Sequence, residues 1–169
     1  MEKGERRVLK KGRIVVTRKP SFVLKLADSI FKQIKPYCKR AKIAGSIRRK
    51  EKNPVDVDIV VTPKNKEKIE DILLKKGKIV KKGEKQFAVK IKGVKVELYF
   101  VSEDEWGGAL FAYTGASGYS IGLRIIAKKK GFKLNQYGLF KGNKKIAGKT
   151  EKEIYEKLGK EYKSPKERK

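Results

Sequence analysis

Histidine is absent from this chain of 169 residues, and cysteine, methionine and tryptophan each occur once. Without an imidazole there is no histidine general base, no Ser-His-Asp triad and no histidine-ligated zinc. A lone Cys38 rules out an intramolecular disulfide framework and suits a reducing, intracellular compartment; beside an apolar helix end it reads as a packing residue. No run of about 18 apolar residues occurs, so no membrane span is expected. The charged N-terminus lacks the apolar stretch of a secretion signal. Acids are also scarce, 19 against 46 lysines and arginines, for a net charge of +27. Any single lysine is best read as a solvated surface group. The sum is harder to absorb, because its self-repulsion is costly and a polyanionic partner would relieve it. Nucleic acid is the natural candidate, since no basic amphipathic helix stands out to favour a membrane surface.

The apolar residues that remain are periodic. Residues 1–19 form a basic arm with a short apolar run at Ile14-Val15-Val16. Pro20-Ser21 opens a helix carrying Phe22, Val23, Leu26, Ile30 and Ile34 on one face, ended by Pro36. Ala41 to Ala44 and Val55 to Thr62 read as strands, Asn65 caps a helix to about Lys75, and Lys78 to Val101 reads as a β-meander. After Ser102 the pattern predicts helices over 104–113 and 117–130, a hairpin from Leu134–Phe140 and Lys144–Ala147, and a helix opened by the capping box Thr150-Glu151-Lys152-Glu153. The tail from Glu161 is basic. The expected class is α+β: a mixed sheet with flanking helices over residues 1–101, and a smaller α+β lobe over 102–169.

The chemistry is concentrated in three places. Asp56 and Asp58 alternate with Val55, Val57, Ile59 and Val61, so both acids project from one face of a strand whose other face is apolar. Glu97 has the same phase in Val94-Lys95-Val96-Glu97-Leu98. Paired strand carboxylates repel unless a cation lies between them, although an edge strand with a solvated face would also explain them. Gly45-Ser46 is the third place. Its glycine lets backbone approach a phosphate, its hydroxyl can donate, and Arg48 and Arg49 carry forked donors. The pair alone is weak, but seven to ten residues ahead of an Asp-x-Asp strand it points to nucleotidyl transfer.

These motifs, with Arg18-Lys19-Pro20, Gly83-Glu84-Lys85-Gln86-Phe87, Tyr113-Thr114-Gly115, Arg124, Lys130-Gly131-Phe132 and Leu134-Asn135-Gln136-Tyr137, resemble the family X DNA polymerases, in a compact form like a viral member. The likeness runs over roughly 18–169, ending in Tyr162-Lys163-Ser164-Pro165. The Tyr-Thr-Gly and Asn-Gln-Tyr segments are the specific part; the acids and the Gly-Ser turn belong to nucleotidyltransferases at large. The resemblance implies a nucleotidyltransferase palm over 1–101 and a nucleotide- and template-binding lobe over 102–169. Asp56, Asp58 and Glu97 would bind two Mg²⁺ ions, with Mn²⁺ as a substitute. Gly45, Ser46, Arg49 and Arg18 would hold the triphosphate. Tyr113, Thr114, Gly115 and Ser120 would border the nucleotide sugar and base, and Lys95, Arg124, Asn135, Tyr137 and Lys85 would meet DNA. The implied partners are gapped or primed DNA and deoxynucleoside triphosphates, and a monomer is expected.

Three departures stand out. Glu97 replaces the usual aspartate, which moves the carboxylate by about one bond length where alignment matters. Ala112 stands where the beta-type enzyme has an aromatic residue, and Ser120 where it has an asparagine. The N-terminal region is too short for a lyase domain, so lyase activity is not expected. Template-directed gap filling in repair leads the functional readings. A template-independent terminal transferase, a transferase acting on a small molecule, and a catalytically inert DNA-binding module remain as alternatives.

Overall fold

The structure, a computed structural model, describes residues 3–169 and divides into two compact units. The first comprises residues up to Ile43 together with Glu51–Phe100. Strands β1 (Arg6–Lys10) and β2 (Arg13–Thr17) form an antiparallel hairpin, so the basic arm is ordered. Its tight turn places both Lys11 and Gly12 at positive φ, the geometry that matches the right-handed twist of paired strands. Helix α1 (Pro20–Ile34) starts with proline at a position where the missing N–H costs nothing, and it gives way before Pro36.

Strand β3 (Cys38–Ile43) leads to the interior strand β4 (Val57–Pro63). Helix α3 (Lys66–Leu74) is capped by the Asn65 side chain, which accepts from the Lys68 N–H at 3.1 Å. Strands β5 (Lys78–Lys82), β6 (Gln86–Ile91) and β7 (Val94–Phe100) complete a five-stranded sheet of order β3-β4-β7-β6-β5. Only β4 and β7 run parallel, because α3 and the β5–β6 pair intervene and return the chain in the same direction. Helices α1 and α3 pack on the sheet. Val57, Ile59 and Val61 of β4 and Val96 and Leu98 of β7 are fully buried, as the alternation requires. Burial of each such side chain contributes about 1.5–3 kcal/mol.

The second unit comprises Ala44–Lys50 and Val101–Lys169. The short helix α2 (Gly45–Arg48) therefore packs with the C-terminal residues, whereas the sequence had suggested one continuous lobe over 1–101. Helix α4 (Trp106–Thr114) begins at a buried tryptophan, and its Gly107 and Gly108 are close-packing positions. A Cβ on Gly107 would lie 2.3 Å from the Thr150 backbone, and one on Gly108 would lie 2.5 Å from the Gly138 nitrogen. Helix α5 (Ser117–Lys129) ends at Gly131, which is left-handed with φ 79°.

The expected strand over 134–140 is instead two. Asn135 Oδ1 accepts from the Tyr137 N–H at 2.8 Å, and this local turn splits the run into β8 (Lys133–Asn135) and β9 (Gly138–Lys141), with β10 (Lys144–Ala147) as the third strand. Helix α6 (Glu151–Lys157) is capped by Thr150, whose hydroxyl accepts from the Glu153 N–H at 3.1 Å. Phe111, Leu123, Leu134, Leu139, Ile154 and Tyr155 form the core of this unit. The α+β class and the mixed sheet with flanking helices are as the sequence predicted.

Candidate active site

In the first unit, parallel pairing sets Asp58 directly opposite Glu97. Tyr99, two residues beyond Glu97 and so on the same face, reaches both: its hydroxyl lies 2.6 Å from Glu97 Oε1 and 3.1 Å from Asp58 Oδ1. Asp56 lies just before β4, and its Oδ2 accepts from Lys10 Nζ of the hairpin at 2.5 Å. Lys95 Nζ stands 3.3 Å from Glu97 Oε2. Burial pushes the Asp58 carboxyl up to about 7; the Asp56 charge adds to this and the Tyr99 hydrogen bond opposes it. Burial also raises the Tyr99 hydroxyl far above its ordinary value, so it acts as a donor throughout the working pH range. Tyr99 was not singled out in the sequence, although its i+2 spacing from Glu97 was visible there.

Among the described residues, no three Asp, Glu, Cys or His side chains are disposed as a group that could hold a metal ion. Asp58 and Glu97 meet through one hydroxyl, while Asp56 is drawn to Lys10. The donor set nonetheless fits a hard divalent cation. It consists only of carboxylate oxygens, two of the carboxylates standing on adjacent strands, and its charge is partly offset by two ammonium groups. Arg18 stacks on Phe22, 4.5 Å from the ring centre, and donates to the Lys3 carbonyl at 2.9 Å. Lys85 is exposed in the turn between β5 and β6.

In the second unit, Gly45 is buried at φ 60° and Ser46 is half-buried at the start of α2. The two arginines that follow are built into the fold. Arg48 donates to Thr114 Oγ1 and to Glu151 Oε1, both at 2.6 Å, and Arg49 Nη1 donates to the Thr114 carbonyl at 2.5 Å. Glu151 also receives Arg168, which is 1% exposed, so a buried carboxylate sits between two guanidinium groups. Arg48 is thus a structural group rather than the phosphate donor that its motif suggested. The basic tail is likewise anchored, by Arg168 and by a 3-10 turn at Pro165–Glu167 capped by Ser164.

Thr114 is fully buried, with its hydroxyl and carbonyl both engaged, and Gly115 follows at φ 70°. Tyr113 is half-buried. Ser120 is 6% exposed, and its hydroxyl has no hydrogen-bond partner among the described residues. Arg124 is exposed on α5 between the exposed Ile121 and Ile125, a cationic and apolar strip. Asn135 and Tyr137 flank the turn that Asn135 itself closes.

Residues 109–169 match the family model described as "DNA polymerase beta thumb". The "Repair DNA polymerase X" of African swine fever virus is 35% identical over 151 residues, covering 80% of this chain and 84% of the viral protein. The same-named protein of another isolate is 32% identical over an equal span, again 80% and 84% of the two chains. "DNA polymerase IV" of Saccharomyces cerevisiae is 36% identical over 74 residues, 44% of this chain and 13% of the yeast protein. With a third of its residues shared across most of a compact viral relative, the chain belongs to the family X DNA polymerases.

Proposed function

We propose that this DNA polymerase fills short gaps in DNA during repair, extending a primer 3′-hydroxyl under the direction of a template. The observation that carries the reading is the register of Asp58 on Glu97 across the central parallel pair, beside Asp56, in a chain that shares 35% identity with a repair polymerase. The first unit corresponds to the palm and the second to the nucleotide- and template-binding lobe.

Asp56, Asp58 and Glu97 would hold two divalent ions, Mg²⁺ or Mn²⁺. When bound, such ions stabilise charge on the oxygens that are exchanged at phosphorus. The chain's own residues do the rest. Tyr99 orients the Asp58 and Glu97 carboxylates by donating to that pair. Lys95, exposed next to Glu97, offers its ammonium to a primer phosphate. In the second unit the Gly45-Ser46 turn, with Arg49 held at the Thr114 carbonyl, offers donors to the triphosphate. Arg18, in the first unit, carries a guanidinium of the kind that binds phosphate. The Tyr113-Thr114-Gly115 turn borders the sugar through Tyr113 and backbone, because the Thr114 side chain is taken by Arg48. Ser120 lies close behind this turn at the start of α5. Arg124, Asn135, Tyr137 and Lys85 meet the DNA.

Primer extension on a single-nucleotide gap, with each deoxynucleotide and ribonucleotide in turn, tests this reading. Incorporation only of the nucleotide complementary to the template is expected, and Asp58→Asn should abolish it while DNA is still bound. Equal extension of a single strand without template would favour a terminal transferase. Activity that survives Asp58→Asn would refute the assignment of the acids.

A further inference from the structure

We propose that Lys10 sets the divalent-cation affinity of this site: its ammonium is a resident counter-ion on Asp56 that an incoming cation must displace. This rests on the reading of Asp56, Asp58 and Glu97 as the metal-holding acids.

The N-terminal hairpin is fastened to the first unit rather than draped over it. Thr17 at the end of β2 is fully buried and donates its hydroxyl to the Val55 carbonyl, one residue before Asp56. Arg6 Nε donates to the Arg18 carbonyl at 2.9 Å, and the Glu5 carboxylate lies 2.6 Å from where a Cβ on Gly93 would stand. Five consecutive cross-strand pairs, Arg6 with Thr17 through Lys10 with Arg13, hold β1 to β2. By alternation, Lys10 shares its side of β1 with Arg6 and Val8, whereas Arg7 and Leu9 face outward and are exposed. The anchors therefore fix which face of β1 meets Asp56, and Lys10 is the residue delivered there.

The contact is close and partly sheltered: Nζ to Oδ2 is 2.5 Å, with the Lys10 side chain 38% exposed and that of Asp56 21%. An ammonium in contact with Asp56 Oδ2 occupies one of that oxygen's acceptor directions and repels a second cation approaching the carboxylate. Cation binding at Asp56 is thus opposed by Lys10 until it withdraws into solvent, which its partial exposure permits. Lys95 makes a looser contact with Glu97, at 3.3 Å, and is more exposed at 45%. Competition is therefore concentrated on the hairpin lysine. The hairpin becomes part of the metal site without giving it a ligand, and the free site is spared the repulsion among three close carboxylates.

Mn²⁺ binding to the DNA-free protein, measured by calorimetry and by electron paramagnetic resonance at fixed ionic strength, tests the idea without reference to catalysis. Lys10→Met should bind Mn²⁺ three- to tenfold more tightly than the unaltered protein. Lys10→Arg, which keeps a cation on Asp56, should not. Arg13→Met removes a charge from the cross-strand partner of Lys10 and should leave the affinity unchanged. Equal affinity in the Lys10→Met and unaltered proteins overturns the proposal while leaving the acid site intact. Equal tightening by Arg13→Met also overturns it, by showing a diffuse charge effect. Failure of both the unaltered protein and Lys10→Met to bind Mn²⁺, or binding that survives Asp58→Asn, overturns the acid-site reading and this inference with it. Circular dichroism of each variant excludes misfolding as the cause of a change.

Discussion

Glu151 and Arg168, seventeen residues apart, form a buried ion pair in which the arginine is 1% exposed and the glutamate 6%. Arg48 meets the other oxygen of the same carboxylate from a helix 103 residues earlier in the chain. Removing a carboxylate from between two sheltered guanidinium groups leaves both uncompensated, which costs about 3–5 kcal/mol for a buried pair. Glu151→Ala should therefore lower stability by about that amount in urea denaturation, whereas Lys166→Ala in the exposed part of the tail should change it by less than about 0.5 kcal/mol. Similar losses for the two variants would remove the tail anchor from the account.

Two kinds of glycine to alanine change should have opposite signs. Gly107→Ala and Gly108→Ala would gain about 0.5–1 kcal/mol of helix propensity but drive a methyl group into the backbone of Thr150 or Gly138. Overpacking of this kind costs about 1–3 kcal/mol or more, so both should destabilise. Gly122→Ala in α5 meets nothing within 4 Å and should stabilise by about 0.5–1 kcal/mol. Thermal melts of the three variants decide the matter, and a stabilised Gly108→Ala would contradict the close packing described for α4.

Burial pushes the Cys38 thiol up from 9.0 to about 11, against a smaller lowering by the Lys64 charge, and its sulfur donates to the Ile34 carbonyl at 3.1 Å. The folded protein therefore holds the thiol proton more tightly than the unfolded chain does. The stabilisation is complete below about pH 9 and is lost as pH rises through about 11. Alkylation by iodoacetamide at pH 8 should be slow in the native protein and fast in urea. Cys38→Ala should flatten the alkaline limb of the stability curve. Rapid native labelling would show the thiol to be accessible and the burial argument mistaken.

A net charge of +27 makes phosphate contacts the main term in DNA affinity. Raising salt from about 50 to 200 mM should weaken binding by at least about tenfold, with a linear dependence of log affinity on log salt. Fluorescence anisotropy with a gapped duplex measures this directly. A change of less than about threefold would mean that the cations serve some other purpose.

Much of this fold was readable because local rules and tertiary packing agree. The phase of Asp58 and Glu97 followed from alternation, and pairing of the two buried strands then brought them opposite each other. Asn65 and Thr150 cap the helices that their positions predicted. What escaped the sequence depends on partners far along the chain. The motif in which Arg48 sits suggests a phosphate ligand, and only the fold reveals Glu151 beside it. Nothing local marks Lys10 as the lysine that meets Asp56, since a hairpin must first form and dock. The division of 134–140 into two strands was within reach, because asparagine two residues before a backbone N–H is a recognised turn former.

The second unit borrows seven residues, Ala44–Lys50, from within the sequence of the first. It cannot be excised as a contiguous piece: a fragment starting at Val101 would leave Thr114 without Arg48 and Arg49, and Glu151 with Arg168 alone. During synthesis its assembly has components at hand near the beginning but must wait for the last helix and tail to emerge. Exchange of this half between related polymerases would succeed only when both stretches travel together.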